Sequence, residues 1–253
     1  SPDTRRFLDN PIRLRGSGGH LRPLPVVAMT YSRSLASIAL LAIATSTDVV
    51  ASQDPFGPEN MVVNGGAHWV DAGELKGGGA DEILVAMSSG HYQWYKFAGG
   101  SSFQGPFSIA TTSSATPQCV HAADINNDSL ADVLLASGNP WNSSSNSLLG
   151  WCENSTSSPG TFGSIHIIDD ETNLASLMWA HACDLNGDGL NDALAFSLEG
   201  TSWYENLGGP TFNFGPQQVI DSTPANSNGW RPHVKDIDGD SDLDIVICAV
   251  PSG

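Results

Sequence analysis

Three nine-residue segments carry oxygen-bearing side chains at their first, third, fifth and ninth positions. They are Asp124, Asn126, Asp128 and Asp132; Asp184, Asn186, Asp188 and Asp192; and Asp236, Asp238, Asp240 and Asp244. Side chains at alternate positions converge on one point when such a segment curls. At position seven Leu130 and Leu190 offer only a backbone carbonyl, whereas Asp242 either adds a carboxylate or faces solvent. A set of hard oxygens without thiolate or imidazole selects Ca2+ over Zn2+. It suits Mg2+ less well, because that ion keeps its waters. Two like charges about 4 Å apart repel by about 4 kcal/mol at an effective dielectric of about 20. Each segment therefore needs either an open loop or a divalent ion, and about three Ca2+ sites are expected. Position six is glycine only at Gly189; Ser129 and Ser241 stand there in the other two.

These segments belong to a larger repeat. HAADINNDSLADVLLAS from His121, HACDLNGDGLNDALAFS from His181 and HVKDIDGDSDLDIVICA from His233 align without gaps. HWVDAGELKGGGADEILVA from His68 aligns if two extra residues are allowed, with Asp71 opening and Asp81 closing the loop. That loop holds Glu74, Lys76 and three glycines, and is expected to bind no ion. An aromatic element follows in three units (WYKF at Trp94, WCEN at Trp151, WYEN at Trp203), then a Phe/Gly element. The units fall at about 60–113, 114–173, 174–225 and 226–253. Each reads as four short strands, the second being an apolar run of the kind that is covered on both faces. Nothing has the period of a long amphipathic helix. The fold class is all-β, a β-propeller of four-stranded blades. With three full repeats and part of a fourth, the chain is expected to be a fragment of a closed ring, since propellers typically have 4–8 blades.

DLNGDGLND, followed by WYENLGG and then F-x-F-G, resembles the FG-GAP/VCBS repeat family, whose relatives include the propeller of integrin α subunits. The resemblance covers about residues 60–253 and is weakest in the first unit. It implies a calcium-stabilised propeller of seven blades in extracellular proteins, with the twelve loop residues above as ion ligands. It also implies adhesion or recognition of glycan or protein ligands. A polysaccharide lyase or other carbohydrate-active enzyme on the same propeller is the alternative reading, and a structural spacer of a larger surface protein is a third.

Other residues invite chemistry less strongly. His68, His121, His181 and His233 each precede the first loop Asp by three residues. One such residue per unit points to a structural histidine bonded to a neighbouring backbone or carboxylate. Trp94, Trp151 and Trp203 recur within a strand, so they are expected to pack between blades with their indole N–H groups bonded nearby. Trp141, in the polar insertion GNPWNSSSNS, is the better candidate for an exposed contact. Glu153 and Glu205 have no fixed carboxylate partner outside the ion loops and read as turn caps. No nucleophile elbow, zincin helix or phosphate loop is present, which leans the reading away from an enzyme.

The formal net charge of the 253 residues is −17, with 27 acidic and 10 basic side chains. That balance argues against nucleic acid, which needs clustered Lys and Arg, and against anionic lipid. Six of the basic residues are the arginines at 5, 6, 13, 15, 22 and 33, so the remainder is more anionic still. Residues 29–51 combine Arg33, an apolar run from Leu35 to Ala44, and small residues at Val49-Val50-Ala51. This is the grammar of a secretory signal peptide, and the run is too short to span a bilayer. Residues 1–28 read as an upstream non-native leader, which leaves 52–253 as the mature propeller region, without a membrane span. Secretion permits disulfides, but Cys119, Cys152, Cys183 and Cys248 suggest no pairing. Sequons stand at Asn127, Asn142 and Asn154.

Overall fold

The computed structural model describes residues 62–63, 65–99, 102–113, 115–139, 147–170, 174, 176–209, 213–222 and 232–247. The expected leader, the signal segment, Trp141, Asn142 and Cys248 lie outside them. Among the described residues, fourteen strands form three four-stranded antiparallel sheets and a hairpin, each in sequence order. Blade one is β1 (Ala67–Gly73), β2 (Glu82–Met87), β3 (His91–Gly99) and β4 (Ser102–Thr111). Blade two is β5 (Thr116–Ala123), β6 (Asp132–Gly138), β7 (Leu148–Cys152) and β8 (His166–Asp169). Blade three is β9 (Trp179–Cys183), β10 (Asp192–Ser197), β11 (Gly200–Tyr204) and β12 (Gln218–Asp221). The hairpin of β13 (His233–Lys235) and β14 (Asp244–Val246) begins a fourth. This is the expected all-β propeller architecture, open and partial over the described residues.

The second strands explain why the blades stack. Every residue of β6 (DVLLASG) and β10 (DALAFS) is buried. A strand apolar on both faces needs a sheet against each, and only neighbouring blades supply them. Leu84, Tyr92, Trp94, Val120, Val133 and Leu135 pack between blades one and two. Cys119, Leu134, Trp151, Leu177, Trp179 and Leu194 belong to the core that joins blades two and three. The fourth strands are wetter: Ile167 is 59% exposed and Val219 62%.

Polar contacts cross the same boundaries. The Tyr92 hydroxyl donates to the carbonyl of Ala136 at 2.6 Å, and that of Tyr204 to Asp169 at 2.6 Å. The inner strands approach so closely at Gly73 that an added Cβ would sit 2.3 Å from the Cβ of Ala122. Cys119 and Cys152 are buried, and Cys183 is partly buried. Asn154 is fully buried, which removes it as a glycan acceptor in the folded chain.

Candidate metal centre

Four loops join the first strand of each blade to the second: 74–82, 124–132, 184–192 and 236–244, here loops A to D. Strand register fixes their alignment. Gly73 pairs with Glu82, Ala123 with Asp132, Cys183 with Asp192 and Lys235 with Asp244. Loop A therefore matches the others without insertion. Glu74 opens it and Glu82 closes it, so the two-residue gap and the pairing of Asp71 with Asp81 are corrected. A glutamate stands at each end where the other loops carry aspartate, which conceals the register in the sequence.

The backbone course repeats closely. Positions four and six are left-handed in every loop: Gly77 and Gly79, Asn127 and Ser129, Gly187 and Gly189, Gly239 and Ser241. An L side chain pays about 1–2 kcal/mol in that region. Ser129→Gly should therefore stabilise the chain by about 0.5–1 kcal/mol after the unfolded-state entropy of glycine is subtracted. A higher urea midpoint at unchanged slope is the expected readout.

The first-position carboxylate organises the turn. Asp124, Asp184 and Asp236 each accept from the N–H of position six, at 2.8, 2.9 and 3.1 Å. The fifth-position carboxylates of Asp128, Asp188 and Asp240 accept from the N–H of position seven, at 2.9, 2.8 and 3.0 Å. In loops B and C the third-position amide donates to the fifth-position carboxylate at 3.0 Å. In loop D, where Asp238 replaces the amide, carboxylate oxygens of Asp236, Asp238 and Asp244 lie within 4.8 Å of one another. These side chains supply the hard oxygens a Ca2+ ion takes, and position seven adds a carbonyl. The donor set fits calcium.

The ninth position has a second duty. Asp132 is buried and accepts from the N–H of Ile125, Asn126 and Asn154 at 3.0, 3.2 and 2.8 Å. Asp192 accepts from Leu185 and Asn206, and Asp244 from Ile237. Glu82 does the same for Leu75 at 2.9 Å. The closing acid is thus a clasp on the loop backbone in every blade, with or without a cation set around it.

Loop A shows what the turn looks like without the ligands. Its third position is Lys76 and its fifth is Gly78, whose N–H donates to Glu74 at 2.6 Å. The Lys76 ammonium reaches 2.7 Å to the carbonyl of Pro159 in blade two and lies 5.6 Å from the Trp94 ring centre. A lysine tied to the next blade stands where the other loops carry an acid or amide.

Two side chains at this rim went unrecognised as site residues in the sequence. Asn206 is buried, and its Nδ2 donates to Ile125 of loop B and Asn191 of loop C at 2.9 and 3.0 Å. Asn154 repeats this one blade earlier, donating to Leu75 and Ala131. The recurring asparagine of WCEN and WYEN was the available signal. Glu205 reaches the same rim, 3.4 Å from the Asn186 amide.

Burial pushes the Asp132 carboxyl up to about 7; three backbone N–H bonds oppose the rise and the nearby Asp128 charge adds to it. Asp192 shifts upward for the same first reason. A folded-state value above the unfolded one favours the protonated fold. That stability is complete below the unfolded value near 4 and is lost as pH rises through about 7. An ion bound to the carboxylate reverses the sign, because it needs the ionised form. The increment in melting temperature given by calcium over chelator should therefore grow from pH 5 to pH 8. Thermal melts of the wild type and Asp132→Asn check this, with the pH dependence of the increment flattened in the variant.

The inner strands hold a different cluster. His121 Nδ1 lies 2.9 Å from Asp71, whose carboxylate also accepts from the N–H of Ala122 at 3.1 Å. The His121 and His181 rings are 4.1 Å apart. Asp71, opposite Leu84, holds the register place that His121 and His181 hold opposite Leu134 and Leu194. His68 is therefore not the fourth member of that row; it lies beside the carbonyl of Pro117 at 3.0 Å. Bonding to a neighbouring backbone carbonyl and carboxylate agrees with the structural reading for His68 and His121. Burial holds His181 down to about 4, and the neighbouring His121 ring adds to that.

Trp94 and Trp151 are buried between blades as expected. Among the described residues, neither the Trp94 nor the Trp203 Nε1 makes a well-formed hydrogen bond, contrary to the expectation. Trp203 still lies near enough to Asp192 to favour its charged form.

A family model described as FG-GAP-like repeat matches residues 75–135 and 184–247. No curated protein matches the chain. A similar solved structure is one titled for specific recognition of non-reducing terminal N-acetylglucosamine by an Agrocybe aegerita lectin. It is 14% identical with a TM-score of 0.34, over 71% of this chain and 60% of that one. The chain thus spans about three-fifths of that protein's length.

Proposed function

The chain is built of FG-GAP repeats, and from that premise we propose that it is a secreted, calcium-stabilised propeller segment used to recognise extracellular glycan or protein. The observation that carries the calcium reading is the threefold repetition of one turn with the same acid at positions one, five and nine, all on one rim. Asp124, Asn126, Asp128 and Asp132 hold one ion; Asp184, Asn186, Asp188 and Asp192 a second; Asp236, Asp238, Asp240 and Asp244 a third. Loop A binds none. The ion neutralises each loop and fixes the turn between the inner two strands, and the rim becomes rigid. Among the described residues no helix is long and apolar enough to cross a membrane.

The opposite rim supports recognition of a neutral polar ligand. A cleft of about 220 Å³ opens there, lined by Ser88, Ser89, Gly90, Thr112, Thr116 and Asn139. Hydroxyl and amide groups without formal charge match the hydrogen-bonding character of sugar hydroxyls. Asn139 also opens the polar insertion that carries Trp141.

Calorimetric titration of the chain with Ca2+ should give three ions. Asp128→Ala, Asp188→Ala and Asp240→Ala should each remove one. Four ions would contradict the reading of loop A, and none would end the calcium proposal. A glycan array read with calcium and then with chelator tests the recognition half, since intact retained sugar is expected only with calcium.

A further inference from the structure

We infer that calcium binding at loops B and C is cooperative, transmitted by the side-chain amides of Asn191 and Asn206; this rests on the calcium reading above. Asn191 is the eighth residue of loop C, and its Nδ2 donates to the carbonyl of Asp124 at 2.7 Å. Asp124 is the residue whose carboxylate opens loop B. The Asn206 backbone N–H donates to Asp192, the closing acid of loop C, at 2.8 Å. Its Nδ2 meanwhile joins the Asn191 carbonyl to the Ile125 carbonyl of loop B. Two adjacent carbonyls of one loop are therefore held by the amides that frame the other.

An ion in loop B fixes the backbone of Asp124 and Ile125, and so fixes the acceptors that position Asn191 and Asn206. Part of the ordering that loop C needs is then already done, and by linkage the effect runs equally in reverse. The neighbouring junctions differ. Position eight is Ala131 in loop B and Leu243 in loop D, and neither has a side-chain donor. The strongest coupling therefore belongs to the B–C pair, while loop D lacks the Asn191 link.

The test uses the full chain, Ca2+ alone as probe, and an Asp240→Ala background that removes loop D. Adding Asp188→Ala leaves only loop B, and adding Asp128→Ala leaves only loop C. In the two-site chain, the product of the stepwise constants should exceed the product of the single-site constants by roughly five- to tenfold. Asn191→Leu should cut that excess to about twofold or less, with Asn191→Ala used where leucine prevents folding. Products that agree within about twofold overturn the coupling and leave the three-ion reading intact. An excess unchanged by both Asn191 variants overturns the assignment to that residue. Absence of any binding in the unmutated chain overturns the calcium reading itself.

Discussion

Saturating calcium is expected to raise the melting temperature of this chain by about 15–30 °C over chelator. At a hundredfold excess over Kd one site adds about 2.7 kcal/mol to a fold that binds and an unfolded chain that does not, so three add about 8. For a chain of this size each kcal/mol moves Tm by about 2–4 °C. The physical source is the carboxylate density of loops B, C and D. The loop backbone supplies each acid with N–H partners, but those partial charges leave the like charges facing one another. Asp188→Ala should remove about one third of the increment and lower the stoichiometry by one. Melting curves that superimpose with and without chelator would refute the account. Magnesium at the same concentration should do much less, because it gives up its waters reluctantly.

The second large effect is expected at a residue that meets no ion. Asn206→Ala should cost about 3–5 kcal/mol and lower Tm by roughly 10 °C even in chelator. The side chain is buried, donates to Ile125 and Asn191, and accepts from the Gly208 N–H at 3.1 Å. Alanine leaves two carbonyls and an N–H unpaired at the junction of blades two and three. Each orphaned buried group costs about 1–3 kcal/mol. Asn206→Asp keeps the shape but turns a donor toward two carbonyls into a carboxylate, so it should be at least as damaging. Asn154→Ala should behave alike at the junction of blades one and two, where Asn154 donates to Leu75 and Ala131. A loss under about 1 kcal/mol at both positions would show that the asparagines merely decorate the rim.

The two effects separate by their dependence on the ion. Stabilisation through Asp188 vanishes in chelator, whereas that through Asn206 remains. Chemical denaturation of both variants in the two conditions distinguishes an electrostatic need from a structural one.

The chain order alone determined the repeat, the four-strand unit and the acidic loops. A repeated motif must build the same turn each time, and a buried apolar run such as β6 needs a covering sheet on each side. Acid type alone brackets the first loop by Asp71 and Asp81. Register weighs backbone pairing instead, which is why Glu82 and not Asp81 closes loop A, and why Asp71 stands in the histidine row. The three-dimensional arrangement alone decided that Asn154 and Asn206 tie one blade to the next, some 80 residues away along the chain from Leu75 and Ile125. It also decided that Lys76 is anchored on Pro159 and that Asp132 is a buried clasp as well as a ligand candidate. Local pattern records what a segment can form by itself. Which carbonyl a distant amide finds depends on how two blades meet, and that is set by the packed core between them.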